Sequence, residues 1–252
     1  PMKRKVDQGT AKAQVPPPDV VERLLGEIEK ALRDDFSSYA LASHYRSRCA
    51  SYAAHVRAID FLEKLSSADP ASDRLKVEWA CALIDKMPTC GGIAAVVSKG
   101  MLARKALDQL DIVLKRKPDS WEAVYCRAMN HLHWPRALRH SDDAAVDFRR
   151  CIELQSKDPD RAQKPFYVRA HVGLGDALTK LKQYDKARTA WQNGLKLFPD
   201  SQPLEDRLAI RGDGELLTYV EGVRNLEQAI DTGLAFLDEF KDVAAVHGAG
   251  AN

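Results

Sequence analysis

The chain has no run of about eighteen apolar residues, the length a membrane-crossing helix needs. Its longest apolar stretch, around Ile93 to Val97, is far too short. No apolar segment follows the charged start Pro1-Met2-Lys3-Arg4-Lys5, so no intact secretory signal is expected there. Neither charge sign is in surplus: 38 basic and 36 acidic residues leave a formal +2. That balance lacks the strongly basic footprint that nucleic acid calls for. No CxxC pair occurs, and the five cysteines (Cys49, Cys81, Cys90, Cys126 and Cys151) are an odd, scattered set. The set fits reduced, mostly buried thiols of a cytosolic protein better than a disulfide framework, and such thiols are expected. Gly and Pro are not enriched, so the bulk is not low-complexity. Sustained apolar–polar alternation is almost missing, which leaves little case for strands.

Motifs of catalysis are missing too. There is no GxSxG and no HExxH, and Gly91-Gly92 has neither P-loop spacing nor a preceding strand. The carboxylate pairs Asp34-Asp35 and Asp142-Asp143 fall at helix ends, where anions cap and complement the helix dipole. His131, His133 and His140, with Cys126 nearby, raise the question of a metal. The i, i+2 spacing of the first two puts them on different helix faces, and no paired zinc spacing reinforces them. They read as a helix end stopped by Pro135. The expectation is a protein that is not an enzyme, with no catalytic residue, no metal and no cofactor.

What the chain does have is helical period. Its 252 residues, 45% hydrophobic, can bury one large core. Residues 1–18 read as a flexible leader ending in Pro16-Pro17-Pro18, 19–240 as a single domain, and 241–252 as a loose tail. Val20, Val21, Leu24, Leu25, Ile28 and Leu32 form the first apolar stripe. Helices are expected over 19–35, 37–48, 50–67, 73–86, 100–116, 120–133, 142–154, 165–181, 184–197, 203–210, 214–221 and 223–240. The last carries Val223, Leu226, Ala229, Ile230, Leu234 and Leu237, and is predicted to be an amphipathic cap on the open end of a stack.

The helices repeat. Ala187, Trp191, Gly194 and Pro199 stand at offsets 0, 4, 7 and 12; Ala106, Leu110, Val113 and Pro118 share those offsets, as do Ala58, Leu62, Leu65 and Pro70. Ala144, Phe148 and Cys151 keep the first three and delay the proline to Pro159. Gly175 precedes Ala187 by 12 residues. A small residue, larger apolar residues one and two turns on, and then a helix stop make up each unit.

Gly175, Ala187, Trp191 and Pro199 together resemble the signature of a tetratricopeptide repeat. The likeness is best over 166–200, degenerate over 73–165 and poor over 36–70. Ala80 and Ala128 replace the first-helix glycine, and segments 87–100 and 134–141 are insertions. The resemblance implies an all-α, right-handed α-solenoid of antiparallel helix pairs, with N-terminal helices before it and a capping helix after it. Gly175 and Ala187 would sit where two helices cross, Trp191 would fill the gap to the next repeat, and Pro199 would end the pair.

In that family the first helix of each pair lines a concave groove. The resemblance places Arg74 and Glu78, then Glu122, Tyr125, Met129 and His133, then Arg169, Asp176 and Lys180 there. Tyr125 and Met129, one turn apart, are expected as exposed anchors for a peptide or helix. The Lys and Asn pattern with which chaperone-binding members clamp a terminal carboxylate is not met. The implied function is a scaffold or adaptor whose partner is another protein. The alternative is an accessory subunit of an enzyme, with a small molecule or metal in a pocket closed by the 87–100 and 134–141 insertions.

Overall fold

A computed structural model describes residues 16–35, 39–158 and 164–233. These residues form eleven α-helices and no strand. The helices are α1 Pro18–Asp34, α2 Tyr39–Ser51, α3 His55–Ala68, α4 Asp73–Lys86, α5 Ala95–Arg116, α6 Trp121–His133, α7 Ser141–Ser156, α8 Val168–Lys180, α9 Tyr184–Leu197, α10 Gln202–Ala209 and α11 Asp213–Val223. None is long and apolar enough to cross a membrane.

Where the pairs begin and end is written in short local signals. Ser72 accepts a hydrogen bond from the Leu75 amide, and Ser120 accepts one from the Ala123 amide, each at 3.3 Å. Each serine stands two residues after a proline, Pro70 or Pro118. One Pro-x-Ser unit thus stops a helix and caps the next. Pro199 and Ser201 keep the spacing without the side-chain bond. Asp142 and Asp143 lie in the first turn of α7, where they complement the dipole without a capping bond from His140.

Each of helices α3 to α9 packs most extensively on its sequence neighbours. In addition α2, α4, α6 and α8 touch in succession, and α11 rests on α8. These first helices form one layer, and α3, α5, α7 and α9 form the other, so the described chain is an α-solenoid. Close approach depends on small residues. A Cβ at Gly175 would lie 2.0 Å from the Trp191 indole nitrogen, which donates to the Val172 carbonyl at 3.2 Å. Trp191 therefore packs on the first helix of its own pair. Phe148 joins neighbouring pairs, since its ring would lie 2.3 Å from a Cβ at Gly173.

Two expectations change. Helix α5 begins at Ala95, so the first insertion shrinks to a 3-10 turn at Met87–Thr89 and a short loop. The second insertion holds a 3-10 turn at Arg136–Leu138, and Arg139 closes it at φ 61°. The two insertions approach each other, since a Cβ at Gly100 would lie 3.9 Å from the Trp134 ring.

The second change concerns the capping helix. Helix α11 stops at Val223, and 224–233 is not helical. The Asn225 amide donates to the carbonyls of Glu221 and Gly222 at 3.1 and 2.9 Å, and its oxygen accepts from the Glu227 amide at 2.8 Å. A side chain that satisfies the last carbonyls and starts a turn competes with continued helix and wins here. The predicted cap is therefore absent over 224–233. Its remainder, residues 1–15 of the leader and the 241–252 tail lie outside the described residues.

Candidate functional site

The face made by the first helices is not open. Residues 75–84 of α4 and 171–180 of α8 are buried without interruption, polar ones included. The chain itself provides the cover. After α11, residues 224–233 run back along the stack from α8 to α2, and we call them the return segment.

The contacts follow its course. Arg224 donates to Asp176 at 2.8 Å, and its carbonyl accepts from the Lys180 ammonium at 2.8 Å. Glu227 pairs with Lys99 in the first turns of α5. Ile230 is buried. The Asp231 carbonyl accepts from the Tyr125 hydroxyl at 3.0 Å, and its carboxylate pairs with Arg169 at 2.7 Å. Thr232 is 1% exposed; its carbonyl and hydroxyl accept from Arg46 at 3.0 and 3.3 Å. Arg46 also donates to Glu78 at 2.7 Å and to Asp85 at 2.5 Å.

Tyr125, Arg169, Asp176 and Lys180 thus touch the return segment directly, and Glu78 does so through Arg46. Met129 borders a cavity of about 280 Å³ beneath the segment, lined also by Tyr125, Val172, Arg207 and Asp231. Tyr125 and Met129 are 1% and 2% exposed, which corrects the expectation of exposed anchors. The Tyr125 ring stacks on Trp121 with 4.9 Å between centroids. His133 is fully buried, and its Nδ1–H donates to the Met129 carbonyl at 2.8 Å. Arg74 is exposed and Glu122 half-buried, both at helix starts away from these contacts.

Burial sets the electrostatics. It would raise the Asp176 carboxyl, but Arg207, at 2.5 and 2.9 Å, and Arg224 outweigh it and hold the group below its ordinary value. Glu78 goes the other way: burial raises it, and Arg46 offsets only part. Burial lowers Lys180 to about 8, and its ammonium is spent on the carbonyls of Leu132, Trp134 and Arg224. Burial, aided by Arg224, lowers His133 to about 3, so it is neutral. The site offers donors for main-chain carbonyls and an arginine for a carboxylate. These are the means of holding a polypeptide.

The histidine-rich turn is arranged otherwise than its sequence proximity implies. His131 and His140 meet with their Nδ1 atoms 2.8 Å apart, and the Trp134 ring stacks on His140 at 4.5 Å. Asp143 joins them, with one donor atom from each residue within 4.8 Å of the others. His133 points into the core, and Cys126 lies against Cys81 at 3.3 Å. All five cysteines are free thiols, and all but Cys90 are buried.

Arg46, Lys99, Arg207, Arg224, Asp231 and Thr232 carry much of this site and do not stand out in the sequence reading. The signals for them are faint: an Asn at the end of α11, an Asp-Thr-Gly turn, and an arginine inside α2, which is buried on nearly every side. A second surface feature is apolar: Ile93, Val96, Val97 and Met101 are all exposed, at and just before the start of α5.

Residues 168–201 match the model of the tetratricopeptide repeat family. The match coincides, to within two residues at either end, with the 166–200 unit that the sequence singles out. No curated protein matches the chain. The chain thus carries tetratricopeptide-type helix pairs, one of which fits the family pattern, in an all-helical stack.

Proposed function

We propose that this chain is a protein-binding scaffold or adaptor, non-catalytic and without a cofactor, which takes a polypeptide on the face made by α2, α4, α6 and α8. One observation carries the reading: that face already holds polypeptide, through carbonyl oxygens and a carboxylate. Peptide-recognition surfaces work by the same means, main-chain hydrogen bonds for affinity and side-chain contacts for specificity. The repeat match supports a protein partner. Five free thiols favour a reducing compartment such as the cytoplasm.

The test uses photo-crosslinking residues at three positions of the full chain in source-cell extract. Arg74 and Glu122 stand at the rim of the first-helix face, and Arg149 is exposed on the other layer. One protein crosslinked from 74 and 122 but not from 149 is the expected result. Crosslinks from 149 alone, or none at 74 and 122, would overturn the reading.

The meeting of His131, His140 and Asp143 favours a second reading, an accessory subunit that holds a divalent metal beside the second insertion. Dialysis of the full chain against zinc decides it. Stoichiometric zinc lost on replacing both histidines with Gln would support this reading; no retained zinc would exclude it.

A further inference from the structure

We propose that residues 224–233 are a tethered stand-in for the peptide this face accepts, and that a partner binds by displacing them with a non-helical segment carrying an aliphatic residue, then Asp or Glu, then a small hydroxyl residue. The proposal rests on the protein-binding reading above and names the class of partner.

The receiving groups are held in place without the return segment. Arg46 is fixed by Glu78 and Asp85. Tyr125 is stacked on Trp121, and Arg169 lies 4.4 Å over the Phe166 ring. Asp176 is clamped by Arg207 on α10. A site whose anchors are positioned by their own neighbours persists when its occupant leaves, and little ordering cost remains for the next one.

The occupant, in contrast, has no regular structure. Its internal bonds are local: Asn225 with Glu227 and Gln228, Thr232 with Ile230, and Asp231 with Gly233. Beyond the anchors Arg224 and Glu227 at its start, it grips the stack through Ile230, Asp231 and Thr232, which present in turn a buried aliphatic group, a carboxylate for Arg169 and a buried hydroxyl for Arg46. That order defines the partner motif. The face beneath is also poorly suited to lasting dry burial: Glu78, Asp176, Lys180 and His133 all lie there, and buried charges gain little over apolar packing. They suit a face that exchanges one polar occupant for another.

Tethering decides who occupies the site. A short linker gives a local concentration in the millimolar range, on the order of a hundredfold above a partner peptide at about 10 μM. An outside peptide with equal contacts therefore loses until the tethered one is weakened.

The experiment uses a fluorescent peptide of sequence 224–233 and two full-length chains, the parent and Asp231→Ala/Thr232→Ala. These substitutions weaken the tethered copy by removing its side-chain contacts to Arg169 and Arg46, keep its main-chain bonds, and leave Arg46, Tyr125 and Arg169 intact. Anisotropy should show the variant binding the peptide at least tenfold more tightly than the parent, and a peptide with its own Asp and Thr replaced by Ala should not bind. Equal binding by both chains, or no binding by a folded variant, would overturn the proposal. Should the variant fail to fold, hydrogen exchange of the parent decides. Amides of 226–232 should exchange at least a hundredfold faster than those of 124–132 in α6, whereas matched rates would make the segment permanent core and sink the idea. That outcome would leave protein binding at the rim of the face standing, because Arg74 and Glu122 lie at the helix starts and crosslinks there do not require the segment to move.

Discussion

At Gly175 a single hydrogen atom is all the space allows. Any side chain there must displace the Trp191 indole, which is buried and hydrogen-bonded to the Val172 carbonyl. Gly175→Leu should therefore lower stability by about 2 kcal/mol or more, since overpacking a tight contact costs about 1–3 kcal/mol. Gly26, inside α1, is the control: nothing lies within 4 Å of a Cβ there, and Gly26→Ala should be neutral or stabilising. The gain would be up to about 1 kcal/mol, because Ala restricts the unfolded chain and suits a helix. Urea midpoints of the two variants check both signs, and an unchanged midpoint for Gly175→Leu would remove the helix-crossing account. Gly175, Ala187 and Trp191 were legible in the sequence because the constraint on them is steric and local. Tyr125 was legible as a groove position but not as a buried one. Its cover arrives from Asp231, 106 residues on, and no local pattern carries that information.

Among the elements, α4 and α9 match their expected ranges of 73–86 and 184–197 to the residue. Both are fixed by neighbouring signals, Ser72 before α4 and the stop at Phe198-Pro199 after α9. The failure at 223–240 is instructive in the same terms. Val223, Leu226, Ala229 and Ile230 keep helical period, yet the amide of Asn225 takes the carbonyls that the next turn would need. Burial of Ile230 is thus real but belongs to a non-helical segment. Asn225→Ala removes those bonds and adds helix propensity of up to about 0.7 kcal/mol. Helix α11 should then extend past Val223 and pull the return segment off Arg46 and Tyr125. Backbone chemical shifts of 224–230 report this directly: movement to helical values is expected, and unchanged shifts would mean that Asn225 is not the stop.

For the molecule as a whole, buried imidazoles make stability fall in mild acid. Burial lowers His131 to about 4, His133 to about 3 and His171 to about 4. In the unfolded chain they take up protons near pH 6.5, whereas in the folded chain they do so only near 4 or below. Between those values the unfolded state binds more protons, so stability is greatest above about pH 6.5 and is lost as pH falls toward 4 and 3. Each group contributes at most about 1.4 kcal/mol per pH unit inside its window. Glu78 and Asp147, raised by burial, oppose these imidazoles, and His55 and His140, also lowered by burial, reinforce them. The urea midpoint should drop between pH 7 and pH 5, and His171→Gln should make the drop shallower. A flat profile over that interval would mean that the imidazoles are hydrated.

Arg46 grips Thr232 across 186 residues of sequence, and this one bond changes what kind of polymer the chain is. An open array of helix pairs is nearly one-dimensional, with each unit answering only to its neighbours. Tying the second helix to residue 232 straps that line lengthwise with its own later chain. The entropy of closing so long a loop grows only with the logarithm of its length, about 0.6 kcal/mol for each doubling. In return, the two ends lose the freedom to fray separately. Strapped, the stack should melt as a single cooperative body; with Thr232 released, it should behave as a row of units that come apart from the ends inward.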